Sequence, residues 1–200
     1  MPSGYSGTRR SDREPSFKMS MRQLGMIALF ASLSVLFTAS IVAYLVTRFS
    51  AEVWQTASMP ALPHGLFAST ATLIGLSWCI QKAVVAIQHN RHEALLKNLW
   101  LTFLFAFAFL IGQGLNWTYM RGATLAPGIR TLYPFTFYLL TGLHAAHIVG
   151  GFVPLGIVIG RARRREYSSS NHEGVSLCAQ YWHYLGVVWL ILFTTLKLAT

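Results

Sequence analysis

Five long apolar runs constrain the fold of this sequence more than any other feature. They cover about residues 24–47, 63–87, 98–120, 134–160 and 177–198. Each run is long enough to cross a bilayer, because about 20 apolar residues in a helix span roughly 30 Å of hydrocarbon. The sequence therefore predicts an all-α, polytopic membrane protein that is built as a bundle of five transmembrane helices.

The composition agrees with a protein that has little mass outside the membrane. Of the 200 residues, 54% are hydrophobic and only 11% are charged, whereas about a quarter of the residues of a soluble domain are charged. The formal net charge is +10, but the cations lie in short segments between the apolar runs. Cations in such places orient a membrane protein, so we expect no nucleic-acid partner.

The first residues differ in character from the rest of the chain. Residues 1–20 are polar, and this composition predicts a disordered cytoplasmic tail. Residues 21–200 are predicted to form the five-helix transmembrane domain. The first apolar run exceeds the roughly 7–15 residues of a signal-peptide core, so it is expected to remain as a spanning helix.

The distribution of Lys and Arg predicts the orientation of the bundle. Twelve of these 16 residues fall before run one, from the end of run two to the start of run three, or between runs four and five. The remaining four fall on the other side: Arg48, Arg121, Arg130 and Lys197. Since cytoplasmic segments carry the excess of positive charge, we expect a cytoplasmic N-terminus and a periplasmic C-terminus in a bacterial inner membrane.

The acidic residues all lie in the tail or in the loops, and none lies within a predicted span. Proton relays and cation transporters usually place Asp or Glu in the membrane, which disfavours a pump or carrier that acts alone. The motifs of P-loop nucleotide binding, serine hydrolysis and zinc proteolysis are also missing. With no catalytic residues to assign, the sequence favours an accessory subunit.

Three histidines, His144, His147 and His183, are ionisable groups within the last two runs. One interpretation is ligation of haem or copper, because neutral imidazole is a common metal ligand. The other is a hydrogen bond from each histidine to a carbonyl or side chain of a neighbouring helix. His144 and His147 share one helix face, whereas a bis-histidine haem needs facing ligands. We therefore prefer the structural interpretation and assign no metal ligand.

Run four ends in two features that point to contacts with other molecules. Gly156 and Gly160 have the GxxxG spacing, which lets helices pack closely in lipid. The cluster Arg161-Ala162-Arg163-Arg164-Arg165 follows at the predicted cytoplasmic end. It determines topology, and basic groups at this depth also bind the phosphate of anionic lipid headgroups.

Two motifs in runs four and five resemble subunit III of the haem-copper terminal oxidases, the cytochrome c oxidase subunit 3 family. They are LTGLHAAHI at Leu140–Ile148 and YWHYLGVVWL at Tyr181–Leu190, which in the family read like LTGxHGxHV and YWHFVDVVWL. The resemblance covers about residues 22–198. Five helices correspond to the short bacterial form of the subunit.

The resemblance implies a non-catalytic subunit of an aerobic respiratory oxidase. Such a subunit packs on catalytic subunit I, in a complex with subunit II, holds phospholipid and supports electron transfer to oxygen and proton translocation. Haem and copper are then cofactors of the partner subunits only. By resemblance, Arg161 and Arg164 contact lipid phosphate, and a further set lines the bundle: His144, His147, Trp182, His183, Gln113 and Asn116.

Four positions that are usually acidic in the family are neutral here: Leu33, Asn116, Ser176 and Gly186. This departure argues against a proton-related role for carboxylates at these positions. It also leaves open a relative within the family, the subunit-III-like protein associated with nitric oxide reductase. A free-standing haem-binding or transport protein is the second alternative.

Overall fold

The computed structural model describes residues 20–51, 63–124 and 132–198, which form five α-helices. In chain order they are α1 (Met21–Ser50), α2 (Gly65–Gln88), α3 (His92–Thr124), α4 (Leu132–Arg163) and α5 (Glu173–Leu198). All five are long and apolar enough to span a membrane. This confirms the all-α class and, within the described residues, the expected five helices that could span a membrane.

The helices extend beyond the apolar runs because polar residues define their ends. Ser20 caps α1: its hydroxyl accepts from the amide of Gln23 at 3.2 Å, while the Gln23 side chain accepts from the Ser20 amide. This reciprocal pair stabilises the first turn. Similarly, α3 begins at His92 rather than near residue 98. The predicted disordered tail lies outside the described residues, apart from Ser20.

A tight turn joins α2 to α3. Asn90 adopts a left-handed backbone conformation with φ of 53°, which asparagine tolerates better than most residues. The Arg91 amide donates to the carbonyl of Ala86 at 2.9 Å and closes the end of α2. The two helices therefore form an antiparallel hairpin.

The helices pack around a core that α4 and α5 share with α2 and α3. Contacts join α2 to α3 and α5, α3 to α4, and α4 to α5, while α1 contacts only α4 and α5 within the described chain. Trp182 and Trp189 of α5 are among the largest fully buried side chains. Many exposed side chains are large and apolar, such as Val35, Ile74 and Val153, as expected of a surface that contacts lipid or another membrane subunit.

Three chain segments meet at one end of the bundle. The amide of Ser169 donates to Asn90 Oδ1 at 2.8 Å, which joins the α4–α5 connection to the α2–α3 turn. Ser20 Oγ donates to Glu173 Oε1 at 2.7 Å and joins the start of α1 to the start of α5. We call this end the basic end, because the Arg161–Arg165 cluster also lies there.

One glycine of α4 allows a close helix contact. A Cβ at Gly151 would lie 2.9 Å from the indole of Trp182 and from the ring of Tyr181, so a side chain there would clash. At Gly156 and Gly160 no described atom lies within 4 Å of the corresponding position. The close approach of α4 to α5 therefore depends on Gly151, and the GxxxG pair faces none of the other described helices closely.

Candidate functional site

His144 lies at the centre of the bundle and is fully buried. Its ring centroid is 5.6 Å from that of Phe109 on α3 and 5.2 Å from that of Trp189 on α5. Phe109 and Trp189 themselves meet edge to face at 4.9 Å, a preferred aromatic geometry. Neither imidazole nitrogen has a hydrogen-bond partner among the described residues. The prediction that His144 forms a hydrogen bond to a neighbouring helix is therefore wrong. Its ring packs among aromatic rings instead.

His147 lies three residues further along α4 and faces α1. Both His144 and His147 contact the ring of Phe37, at 6.1 Å and 5.2 Å, which agrees with their placement on one helix face. His147 Nδ1 bonds the carbonyl of Leu143 at 2.7 Å, within its own helix. The Tyr181 hydroxyl donates to the His147 carbonyl at 2.8 Å. The prediction that the His147 ring bonds a neighbouring helix is thus wrong. The backbone carbonyl of His147 nevertheless joins α4 to α5.

His183 behaves as the structural interpretation predicts. Its Nδ1 lies 2.5 Å from Ser77 Oγ, and its Nε2 lies 3.1 Å from Gln81 Oε1, so both contacts reach α2. Ser77 and Gln81 are one helical turn apart, which lets them bracket the imidazole. His183 therefore joins α5 to α2, on a different face of the bundle from His147.

Gln113 and Asn116 of α3 are buried. Asn116 Nδ2 donates to Ser69 Oγ at 3.4 Å, and a Cβ at Gly65 would overlap the Asn116 side chain. The first turn of α2 therefore needs a glycine in order to pack against Asn116. Trp182, also buried, packs against Phe152 of α4 at 6.2 Å. The six residues predicted to line the bundle thus occupy different helix contacts and form no single cluster.

The arginine cluster borders a groove between α1, α4 and α5. The groove has a volume of about 490 Å³, its walls are mostly apolar, and Arg161 and Tyr167 lie at its polar end. We call it the Arg161 groove. His147 lines it further into the membrane, and Leu33 lines it from α1. A basic group at the mouth of an apolar groove fits an amphipathic molecule with an anionic head.

Tyr167 and Glu166 flank Arg161 in the connection after α4. Burial raises the pKa of the Tyr167 hydroxyl above its ordinary value, and the Arg161 guanidinium acts in the opposite direction. Arg161 Nε is 3.8 Å from Glu166 Oε2, and both side chains are about half exposed. Such a pair contributes little, so Arg161 remains available to a further anion. Arg164 is exposed and does not line the groove.

The four positions that are neutral here but usually acidic in the family lie apart from one another. Leu33 lines the Arg161 groove, Asn116 contacts α2, and Gly186 lines another groove between α2 and α5. Ser176 lies in the first turns of α5, where its amide donates to the His172 carbonyl at 3.1 Å. The neutral residues therefore do not replace one shared acidic site.

The aromatic residues that surround His144 were not predicted from the sequence. Phe37, Phe109 and Trp189 each contact its ring, yet only Trp189 belongs to one of the two motifs in runs four and five. A phenylalanine in an apolar run gives no signal of the neighbour that it meets. Within residues 20–51, 63–124 and 132–198, no three His, Cys, Asp or Glu side chains lie together as a possible metal site.

Comparison with known sequences supports the resemblance. The sequence model of the family described as cytochrome c oxidase subunit III matches residues 7–199. A relative from Thermostichus vulcanus, cytochrome c oxidase subunit 3, is 33% identical over 181 residues, which are 90% of this chain and 88% of the relative.

Two other relatives carry the same description. The protein from a Synechocystis species is 30% identical over 86% of this chain and 73% of its own length. That from Gadus morhua is 32% identical over 64% of this chain and 48% of its own length. These matches favour the oxidase over the nitric-oxide-reductase alternative. Because the match extends across all five helices, the chain belongs to the cytochrome c oxidase subunit III family.

Proposed function

We propose that this chain is the non-catalytic subunit III of an aerobic respiratory haem-copper oxidase. The observation that carries the proposal is the family match from residue 7 to residue 199, across all five helices. The chain packs on catalytic subunit I, in a complex with subunit II, and supports electron transfer to oxygen and proton translocation by that complex. Haem and copper belong to the partner subunits.

The contacts of the histidines support a structural role. His144 packs among Phe109, Phe37 and Trp189, and His183 bonds Ser77 on α2. Each imidazole thereby helps to hold helices together, in a membrane where packing and interhelical hydrogen bonds replace the hydrophobic drive. A rigid bundle of this kind presents a constant surface to a partner subunit.

The orientation that we propose has the basic end in the cytoplasm. The contacts between Asn90 and Ser169 and between Ser20 and Glu173 bring three cation-bearing segments to that end. The positive-inside rule places such an end in the cytoplasm. The N-terminus is then cytoplasmic and the C-terminus periplasmic, in a bacterial inner membrane.

The Arg161 groove is the site that we propose for phospholipid. Arg161 contacts the phosphate at the polar end, and Arg164, three residues on, adds positive charge at the same membrane depth. The acyl chain lies along the apolar walls, past Leu33 and His147. A lipid held there fills the space between α1 and the α4–α5 pair, where α1 has few contacts of its own.

Co-purification tests the proposed function. Membranes are extracted in mild detergent, the tagged chain is captured, and the reduced-minus-oxidised spectrum and the consumption of oxygen and nitric oxide are recorded. We expect a haem- and copper-containing partner that consumes oxygen. A partner that reduces nitric oxide instead, or a chain that purifies without a haem subunit, would overturn the proposal.

A further inference from the structure

A second groove runs along the outer face of α2, away from the Arg161 groove. Its first part is a cavity of about 360 Å³ between the end of α2 and the start of α3. Its second part, of about 400 Å³, lies between α2 and α5. Trp78 and Gln81 line both parts. The two cavities therefore adjoin and form one groove, which we call the α2 groove.

The first part of the α2 groove is basic. Lys82 and Arg91 line it, and no acidic residue from the described part of the chain does. Neither cation forms a salt bridge with a described residue. The Lys82 ammonium lies 5.1 Å from the centre of the Trp78 ring, a cation–π contact that holds the charge at the groove.

The second part of the groove is apolar. Leu73 and Ile74 of α2 line it on one side, and Val187 and Leu190 of α5 line it on the other. Gly186 leaves its middle open, because an added Cβ would meet no described atom within 4 Å. This part suits a hydrocarbon chain and not an ion.

Polar side chains mark the junction of the two parts. His183 bonds both Ser77 and Gln81 there, at 2.5 Å and 3.1 Å. These three groups satisfy one another, so their hydrogen bonds need no ligand to complete them. Because one part of the groove is basic and the other is apolar, a ligand that fills both parts must combine an anionic head with a long apolar tail.

We propose that the α2 groove binds one anionic phospholipid, with its phosphate at Lys82 and Arg91 and an acyl chain beside Gly186. Free phosphate would use only the basic part and leave the apolar part empty. The site is separate from the Arg161 groove, because the two grooves share no lining residue. It does not depend on lipid binding at Arg161.

Native mass spectrometry of the purified complex tests this proposal. The complex is delipidated and reloaded with phosphatidylglycerol or with phosphatidylcholine of the same acyl chains. We expect Lys82→Gln with Arg91→Gln to lower phosphatidylglycerol retention by about thirtyfold, since each of the two cations near the surface contributes about 1 kcal/mol. Lys97→Gln is the matched control, because Lys97 is exposed on α3 and does not line the groove.

A second variant tests the apolar part without changing charge. Gly186→Leu fills the open space and should also release this lipid, whereas Gly156→Leu, at another open glycine, should not. The Arg161→Ala complex should keep the lipid. The proposal is overturned if both lipids are retained equally, as for bulk lipid, or if Gly186→Leu retains phosphatidylglycerol. It is also overturned if millimolar inorganic phosphate displaces the lipid from wild type, because the head alone would then determine binding.

Discussion

The indole Nε1 of Trp189 donates a hydrogen bond to Thr70 Oγ1 at 3.0 Å and so joins α5 to α2 in the core. The same indole packs against Phe109 of α3 and His144 of α4. One side chain therefore contacts each of the other helices that build the central core. In lipid, such packing and interhelical hydrogen bonds stabilise a bundle.

Replacing Trp189 by Phe should destabilise the bundle, because the ring keeps most of its packing but loses the bond to Thr70. Interhelical hydrogen bonds in membranes contribute about 0.5–2 kcal/mol. The measurement is thermal unfolding of the complex for Trp189→Phe, Thr70→Val and the double variant. A coupling energy near zero in this cycle would show that the hydrogen bond adds nothing to stability.

Replacing His144 by Leu should leave the haem spectrum of the complex unchanged. Neither nitrogen of His144 has a hydrogen-bond partner among the described residues, and its ring packs against those of Phe109 and Trp189. A swap of similar volume in a packed core costs less than about 1.5 kcal/mol, so the unfolding temperature should fall only slightly. A shifted Soret band would contradict this and indicate that His144 binds haem.

The fold was largely predictable, because the thickness of a bilayer sets the length of each apolar run. The shared face of His144 and His147 was predictable too, from their i, i+3 spacing, and the ring of Phe37 contacts both. The partners of each histidine were not predictable. They depend on which helix lies opposite, and a single sequence does not contain that information.

The details of helix packing show the same limit. The GxxxG spacing of Gly156 and Gly160 predicted close helix packing, yet the close approach of α4 to α5 occurs at Gly151. Lys82 and Arg91 line one groove, although in the sequence they are only two of the twelve cations that predict the orientation of the bundle. These relationships join residues that are distant in sequence, so periodicity along one helix does not report them.

Replacing Gly151 by Ala should destabilise the α4–α5 contact. The new methyl group would lie 2.9 Å from the rigid rings of Trp182 and Tyr181, and overpacking of this kind costs about 1–3 kcal/mol. Gly156→Ala is the control: it meets open space and should be neutral or stabilising by up to about 1 kcal/mol. Thermal unfolding of both variants checks the difference, and equal unfolding temperatures would refute it.

Replacing Arg161 and Arg164 together by Ala should release phospholipid from the Arg161 groove without preventing membrane insertion. The reason is electrostatic, since each cation at the membrane surface attracts an anionic headgroup by about 1 kcal/mol. Lipid analysis of the purified complex by mass spectrometry measures the loss. Because Arg161 lines the groove and Arg164 does not, Arg161→Ala alone should account for most of it.

Arg163→Ala separates a specific headgroup contact from a general effect of charge at the basic end. Arg163 belongs to the same cluster, but its guanidinium lies over the ring of Trp100, 5.1 Å from the ring centre, and not in the groove. Its removal lowers the local charge as much as Arg161→Ala does. If the groove positions the lipid, Arg163→Ala should retain it; if both variants lose the same amount, only the summed charge matters, and the Arg161 groove is not a lipid site.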